Sequence, residues 1–162
     1  MSQPPNSAPG KLKNLPLHWE PVSSHPITEK LTNMLAALKS GSDPNELDHA
    51  FASRPERSIG RPLHYATEYT VFDHSLRHEN LPVVELLLRY GADPRLAGMG
   101  PNPSPLEDLR AVVNANIPEL KWASERDMEF FKGALEAMER RARELDGEVP
   151  FFLLPGVLVK NE

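Results

Sequence analysis

The sequence predicts an all-α chain, built as a stack of helix-turn-helix units and closed by one long C-terminal helix. Three observations carry that reading. Apolar residues recur at helical spacing in every long segment. Glycine and proline (the latter 17 times in 162 residues) fall between those segments, where they act as punctuation. One stretch also occurs twice. Leu35-Ala36-Ala37-Leu38-Lys39-Ser40-Gly41-Ser42-Asp43-Pro44-Asn45 aligns with Glu85-Leu86-Leu87-Leu88-Arg89-Tyr90-Gly91-Ala92-Asp93-Pro94-Arg95, and repetition on this scale marks stacked helix pairs.

The elements follow in order. Residues 1–16 hold four prolines and no aromatic ring, so they read as a disordered tail. Leu17, Trp19 and Val22 are expected to lie on the core as an extended strap. A helix is expected from Ile27 to Lys39, with Leu31, Met34, Leu35 and Leu38 on its buried face and Gly41 as its stop. Asp43-Pro44-Asn45-Glu46 reads as the capped start of a short helix that turns Leu47, Ala50 and Phe51 inward. Ser53–Gly60 is a loop. A helix runs from Pro62 to about Leu76, and Arg77–Leu81 is a turn. Pro82 starts a helix, apolar on nearly every side, that Gly91 ends. Gly98–Pro105 is a loop, and a helix covers Pro105–Asn114. The last helix opens on a Ser124/Asp127 capping box and ends before Gly147. Met128, Phe131, Leu135, Met138, Ala142 and Leu145 line its face. Arg140, Arg141 and Arg143 suit the negative end of its dipole and read as a solvated helix end. The helical domain is therefore 17–148, followed by an apolar tail over 149–162.

Pro62-Leu63-His64-Tyr65-Ala66 resembles the start of the first helix of an ankyrin repeat, whose pattern is Thr-Pro-Leu-His-x-Ala. Val83 to Pro94 resembles the second helix of that repeat and the turn after it. The resemblance covers about Ile27 to Leu109: one partial repeat, one full repeat and one degenerate repeat. It implies helix pairs in a row, with His64 as a structural link between neighbouring turns. The chain departs from the family in three ways. Gly41 and Gly91 are 50 residues apart, against about 33 in the family, with extra residues between Asn45 and Arg61 and between Ala66 and Val83. Arg61 stands at the threonine position. Glu107 stands at the histidine position of the third unit. The long last helix then reads as the cap of the stack.

The formal charge of -5 gives no basic excess for nucleic acid. The absence of cysteine excludes disulfides, thiolate nucleophiles and cysteine-ligated zinc. Met1–Gly10 has no apolar run of the signal-peptide type, and Val149–Val159 is too short to span a bilayer. The chain is therefore expected inside the cell, in cytoplasm or nucleus, away from membranes. His74 and His78 share a helical face, but no third metal ligand joins them in the sequence. No nucleophile elbow and no phosphate-cradling glycine loop is present. No cofactor, no metal and no catalytic residue is expected.

The functional expectation is a non-enzymatic protein-binding module for a protein partner whose identity the sequence does not give. The resemblance puts recognition on hairpin tips and first helices. Those positions are Arg57, Ser58 and Gly60 on one tip, Glu68 and Tyr69 on the helix, and Gly100, Pro101 and Pro103 on the next tip. Tyr69 has core packing as its competing role. The alternative function is an enzyme or small-molecule binder, with the insertions walling a pocket near His64, Tyr65, His74 and His78. The tail Phe151–Val159 has two readings: a strap folded back on the stack, or an exposed segment for a partner or for a homodimer.

Overall fold

A computed structural model describes residues 15–48, 60–67, 79–98, 102–114 and 124–147. Every regular element among them is helical. Helix α1 spans Leu15–Trp19 and runs into a 3-10 turn at Glu20–Val22. It is followed by α2 (Ile27–Lys39), α3 (Pro62–Ala66), α4 (Leu81–Arg89), α5 (Pro105–Asn114) and α6 (Glu125–Leu145). Helix α4 contacts both α2 and α6, while α1 lies on α2 and α3, α3 lies on α4, and α5 lies on α6. Because α4 has neighbours on several sides, Val83, Val84, Leu86, Leu87 and Leu88 are all buried.

The core joins Met34 and Leu38 of α2, Leu63 of α3, Val84 and Leu87 of α4, Leu109 of α5, and Phe131, Ala134 and Met138 of α6. Helix α6 starts as its sequence predicts. The Ser124 hydroxyl accepts from the Asp127 N–H, and the Asp127 carboxylate accepts from the Ser124 N–H, both at 3.1 Å. Its inner face is Phe130, Phe131, Ala134, Leu135, Met138 and Ala142. Leu145, expected on that face, is exposed.

The N-terminal segment is helical where an extended strap was expected. Leu17 and His18 are sequence neighbours, and each is only 1% exposed. An extended chain turns successive side chains to opposite sides. A helical turn seated on α2 and α3 buries both. Two buried side chains then hold the chain beyond it. Lys30 Nζ donates to the Pro21 carbonyl at 2.9 Å, and Asn80 Nδ2 donates to the same oxygen at 2.9 Å. Lys30 also donates to Asn80 Oδ1 at 3.2 Å. A buried ammonium is tolerable only with acceptors of this kind around it.

Two further expectations change. Residues 43–48 form a turn followed by irregular chain, with no helix started there. The Asp43 carboxylate accepts from the Asn45 N–H at 2.9 Å, an Asx turn that competes with helix initiation. Helix α3 is Pro62–Ala66, with Thr67 as its C-cap and the Thr67 hydroxyl bonded to the Leu63 carbonyl at 2.9 Å. Ala50, Phe51, residues 68–76, Trp122 and the tail over 149–162 lie outside the described residues, as does most of the 1–16 segment.

Leu87 is fully buried where α4 meets its neighbours. Leu87→Ala is expected to cost about 2–5 kcal/mol. A denaturant titration checks this, and a loss below about 1 kcal/mol would contradict the packing described.

Candidate functional site

The repeated sequence forms a repeated turn. After α2, Gly41 has φ 105° and after α4, Gly91 has φ 106°, a left-handed conformation that favours glycine. The N–H groups of Gly41 and Ser42 bond to Leu38 and Ala37, and those of Gly91 and Ala92 bond to Leu88 and Leu87. Asp43 then closes an Asx turn on Asn45, as Asp93 does on Arg95. Asn45 joins the two turns: its Nδ2 donates to the Gly91 carbonyl at 3.0 Å, and its Oδ1 accepts from the Asp93 N–H at 2.7 Å. Arg95 extends the row to the end of α6, where it donates to Asp146 at 2.7 Å. Burial pushes the Asp93 carboxyl up, but the hydrogen bonds and charge of Arg95 outweigh it and hold it below the usual range.

Each turn leads to a tip. The first tip is closed by Asp48 N–H to the Gly60 carbonyl at 3.0 Å, the second by Gly98 N–H to the Asn102 carbonyl at 2.9 Å. Arg61 crosses between them. Its Nη1 donates to the Asn45 carbonyl at 2.7 Å and its Nε to the Ala97 carbonyl at 2.9 Å. His64 makes the second crossing. Its Nδ1 accepts from the Arg61 N–H at 2.9 Å, and its Nε2 lies 2.8 Å from the Pro103 carbonyl. That pair of contacts assigns a neutral ring with the proton on Nε2. Burial is the first cause that lowers the His64 pKa below its usual value, and the Arg61 charge adds to it.

Of the residues singled out for recognition, Arg57, Ser58, Glu68, Tyr69, Gly100 and Pro101 lie outside the described residues, as do His74 and His78. Gly60 is buried. A Cβ there would meet the Cβ of His64 at 2.7 Å, so Gly60 serves the close approach of α3 and offers a partner no side chain. Pro103 is exposed, and its carbonyl is held by His64.

His18 and Asp48 carry no signal of their own in the sequence. Tyr65 donates to Asp48 at 3.0 Å, stacks on Trp19 at 5.9 Å between ring centres, and meets His18 edge-on. His18 Nε2 in turn lies 2.6 Å from the Glu46 carbonyl. This cluster fastens α1 to the first tip.

A cavity of about 380 Å³ lies between α4 and α6, lined by Leu81, Leu88, Ala137 and the arginine-rich end of α6. The arginines there are not simply solvated. The Glu144 side chain is 1% exposed, and Arg140, Arg141 and Arg89 lie 3.5, 3.0 and 3.9 Å from its carboxylate. Burial raises the Glu85 carboxyl, and Arg89 partly offsets it. Glu85, Glu136, Glu144 and the C-terminal ends of two helices balance the arginines, so the geometry accounts for them as structural.

Among the described residues, no three histidine, aspartate or glutamate side chains gather as a metal site. No helix there is long and apolar enough to cross a membrane. No family model, no curated protein and no solved structure matches the chain.

His64 contributes stability in its neutral form. Its folded pKa lies below the unfolded value of about 6.5. The unfolded chain therefore takes up the proton first, and this contribution is lost as pH falls from about 6.5 toward the folded pKa. Glutamine at the same position can still reach back to the Arg61 N–H, as in a capping box. His64→Gln is expected to cost about 1 kcal/mol at pH 7.5, and the penalty should shrink toward pH 5. Paired urea titrations across that range test it. A penalty that stays constant or grows on acidification would contradict it. His25, raised mainly by its hydrogen bond to Glu20, moves the other way with pH and cancels in the comparison.

Proposed function

We infer that the chain is a protein-interaction module of the ankyrin type, with no catalytic step of its own. The observation that carries this is the row of turns. Two helix ends of the same geometry, 50 residues apart in sequence, are joined side by side by Asn45. The first-helix start beside them is tied to the next tip by His64. In this reading α1–α2, α3–α4 and α5–α6 are three successive hairpins, and α6 is the cap. Stacks of this kind present tips and first helices to a partner, and Arg61 and His64 tie α3 to the described chain that flanks the tips, at Asn45, Ala97 and Pro103. Pre-organisation of that sort lowers the entropy lost on binding. Both ring nitrogens of His64 are engaged in holding the tips, which supports a structural role over a catalytic one.

Arg57 and Tyr69 belong to residue types that dominate binding energy. The double variant Arg57→Ala/Tyr69→Ala is expected to melt within a few degrees of the wild type. It is also expected to lose partner affinity by about thirtyfold or more, equivalent to about 2 kcal/mol. The test is affinity capture from native lysate, followed by titration of the purified partner. A folded double variant that binds as well as the wild type would place recognition elsewhere.

A further inference from the structure

The cavity between α4 and α6 is built from two matched stripes. Leu81, Glu85 and Leu88 share one face of α4 at helical spacing. Gly133, Ala137 and Arg140 repeat that spacing on α6. The stripes enclose about 380 Å³, within the roughly 300–1,000 Å³ of ligand pockets. Small residues leave that room. Ala137 carries only a methyl group, and Gly133 carries no side chain. A Cβ at Gly133 would lie 3.2 Å from Leu81 Cδ2.

The lining is divided in its chemistry. Leu81, Leu88 and Ala137 offer only carbon. Toward the C-terminal ends of the two helices it is guanidinium, from Arg89 of α4 and from Arg140 and Arg143 of α6. Arg89 and Arg140 are engaged with Glu144. Arg143 is exposed and forms no ion pair among the described residues. The glutamates and helix ends balance the total charge, so a bare ion gains little here. A guanidinium is still a fork of donors that matches a carboxylate. Burial is the first cause that raises the Glu85 carboxyl and lowers the Arg89 guanidinium. Walls so poor in water strengthen a charge-assisted hydrogen bond.

We propose that this cavity binds a small organic carboxylate with an apolar body, of the fatty-acid kind. Its hydrocarbon lies among Leu81, Leu88 and Ala137, and its carboxylate meets Arg143 at the arginine end. The ligand is held between two helices, so the site asks nothing of the tips and works with or without a protein partner there.

The test titrates the full chain with octanoate and follows the Gly133 amide and the Ala137 methyl group by NMR. Both signals are expected to move, with a Kd below about 1 mM. Octanol keeps the body and lacks the charge, whereas inorganic phosphate keeps a charge and lacks the body. Each is expected to bind at least about fivefold more weakly than octanoate. Ala137→Leu fills the cavity. It is expected to abolish the response at Gly133 and to melt at or above the wild-type temperature, as cavity-filling changes commonly do. Arg143→Ala is expected to weaken octanoate about fivefold and to leave octanol unchanged. Unmoved signals in the wild type would overturn the proposal. So would octanol or phosphate binding as tightly as octanoate, a folded Ala137→Leu variant that still binds, or an unchanged octanoate affinity in Arg143→Ala. Partner capture is a separate measurement, and the module reading stands or falls on that alone.

Discussion

The structure depends on one asparagine. Asn45 is the last residue of the first turn, and its side chain is both donor and acceptor to the second. Its own carbonyl accepts the Arg61 guanidinium. One residue thus joins the turns that end α2 and α4 and holds the side chain of Arg61, the residue that leads into α3. An aspartate there would lack the donor for Gly91, and a serine would be too short for both bonds. The row continues through Arg95 and Asp146, but that pair is well exposed, and exposed ion pairs contribute about 0–1 kcal/mol. The order of importance is therefore first turn to second, then second turn to α6.

A thin helical stack has little interior to spare, yet this one buries several polar groups. Lys30 and Asn80 converge on a single carbonyl. Glu144 sits under three arginines. Both arrangements join segments far apart in sequence, and both cost desolvation that only good geometry offsets. They act where apolar packing cannot choose an alignment: the N-terminal segment against α2 and α4, and the end of α4 against the end of α6.

The turns, the start of α6 and the apolar character of α4 were legible because each is a local pattern. Glycine with positive φ, an Asx turn and a capping box are written within a few residues. Asn45 was not legible in the same way, because its partners are 46 and 48 residues away. Arg61 read as a departure from the ankyrin-like pattern, and only the folded chain shows it replacing short local bonds with two long ones. Glu144 lies in an arginine-rich helix end, and such sequences look alike whether solvated or buried. The segment before α2 differs from an extended strap for a related reason: Leu17 and His18 are both inside, which the polar character of His18 does not announce. At the candidate site, His64 is legible as a link, whereas Gly60, a recognition position by the ankyrin-like pattern, is buried against His64, and burial by a neighbouring helix leaves no mark on the local sequence.

Recognition, in this account, is a consequence of the same constraint. On the proposed binding-module reading, the fixed part of the surface is the row of turns joined by Asn45 together with α3, which Arg61 and His64 tie to the chain on either side. The most direct measurement is amide hydrogen exchange at Asp93 in the wild type and in Asn45→Ala, together with a denaturant titration of both. The account predicts that the Asp93 amide loses most of its protection and that stability falls by about 1–3 kcal/mol. An equally protected Asp93 amide, with stability within about 0.5 kcal/mol of the wild type, would contradict it.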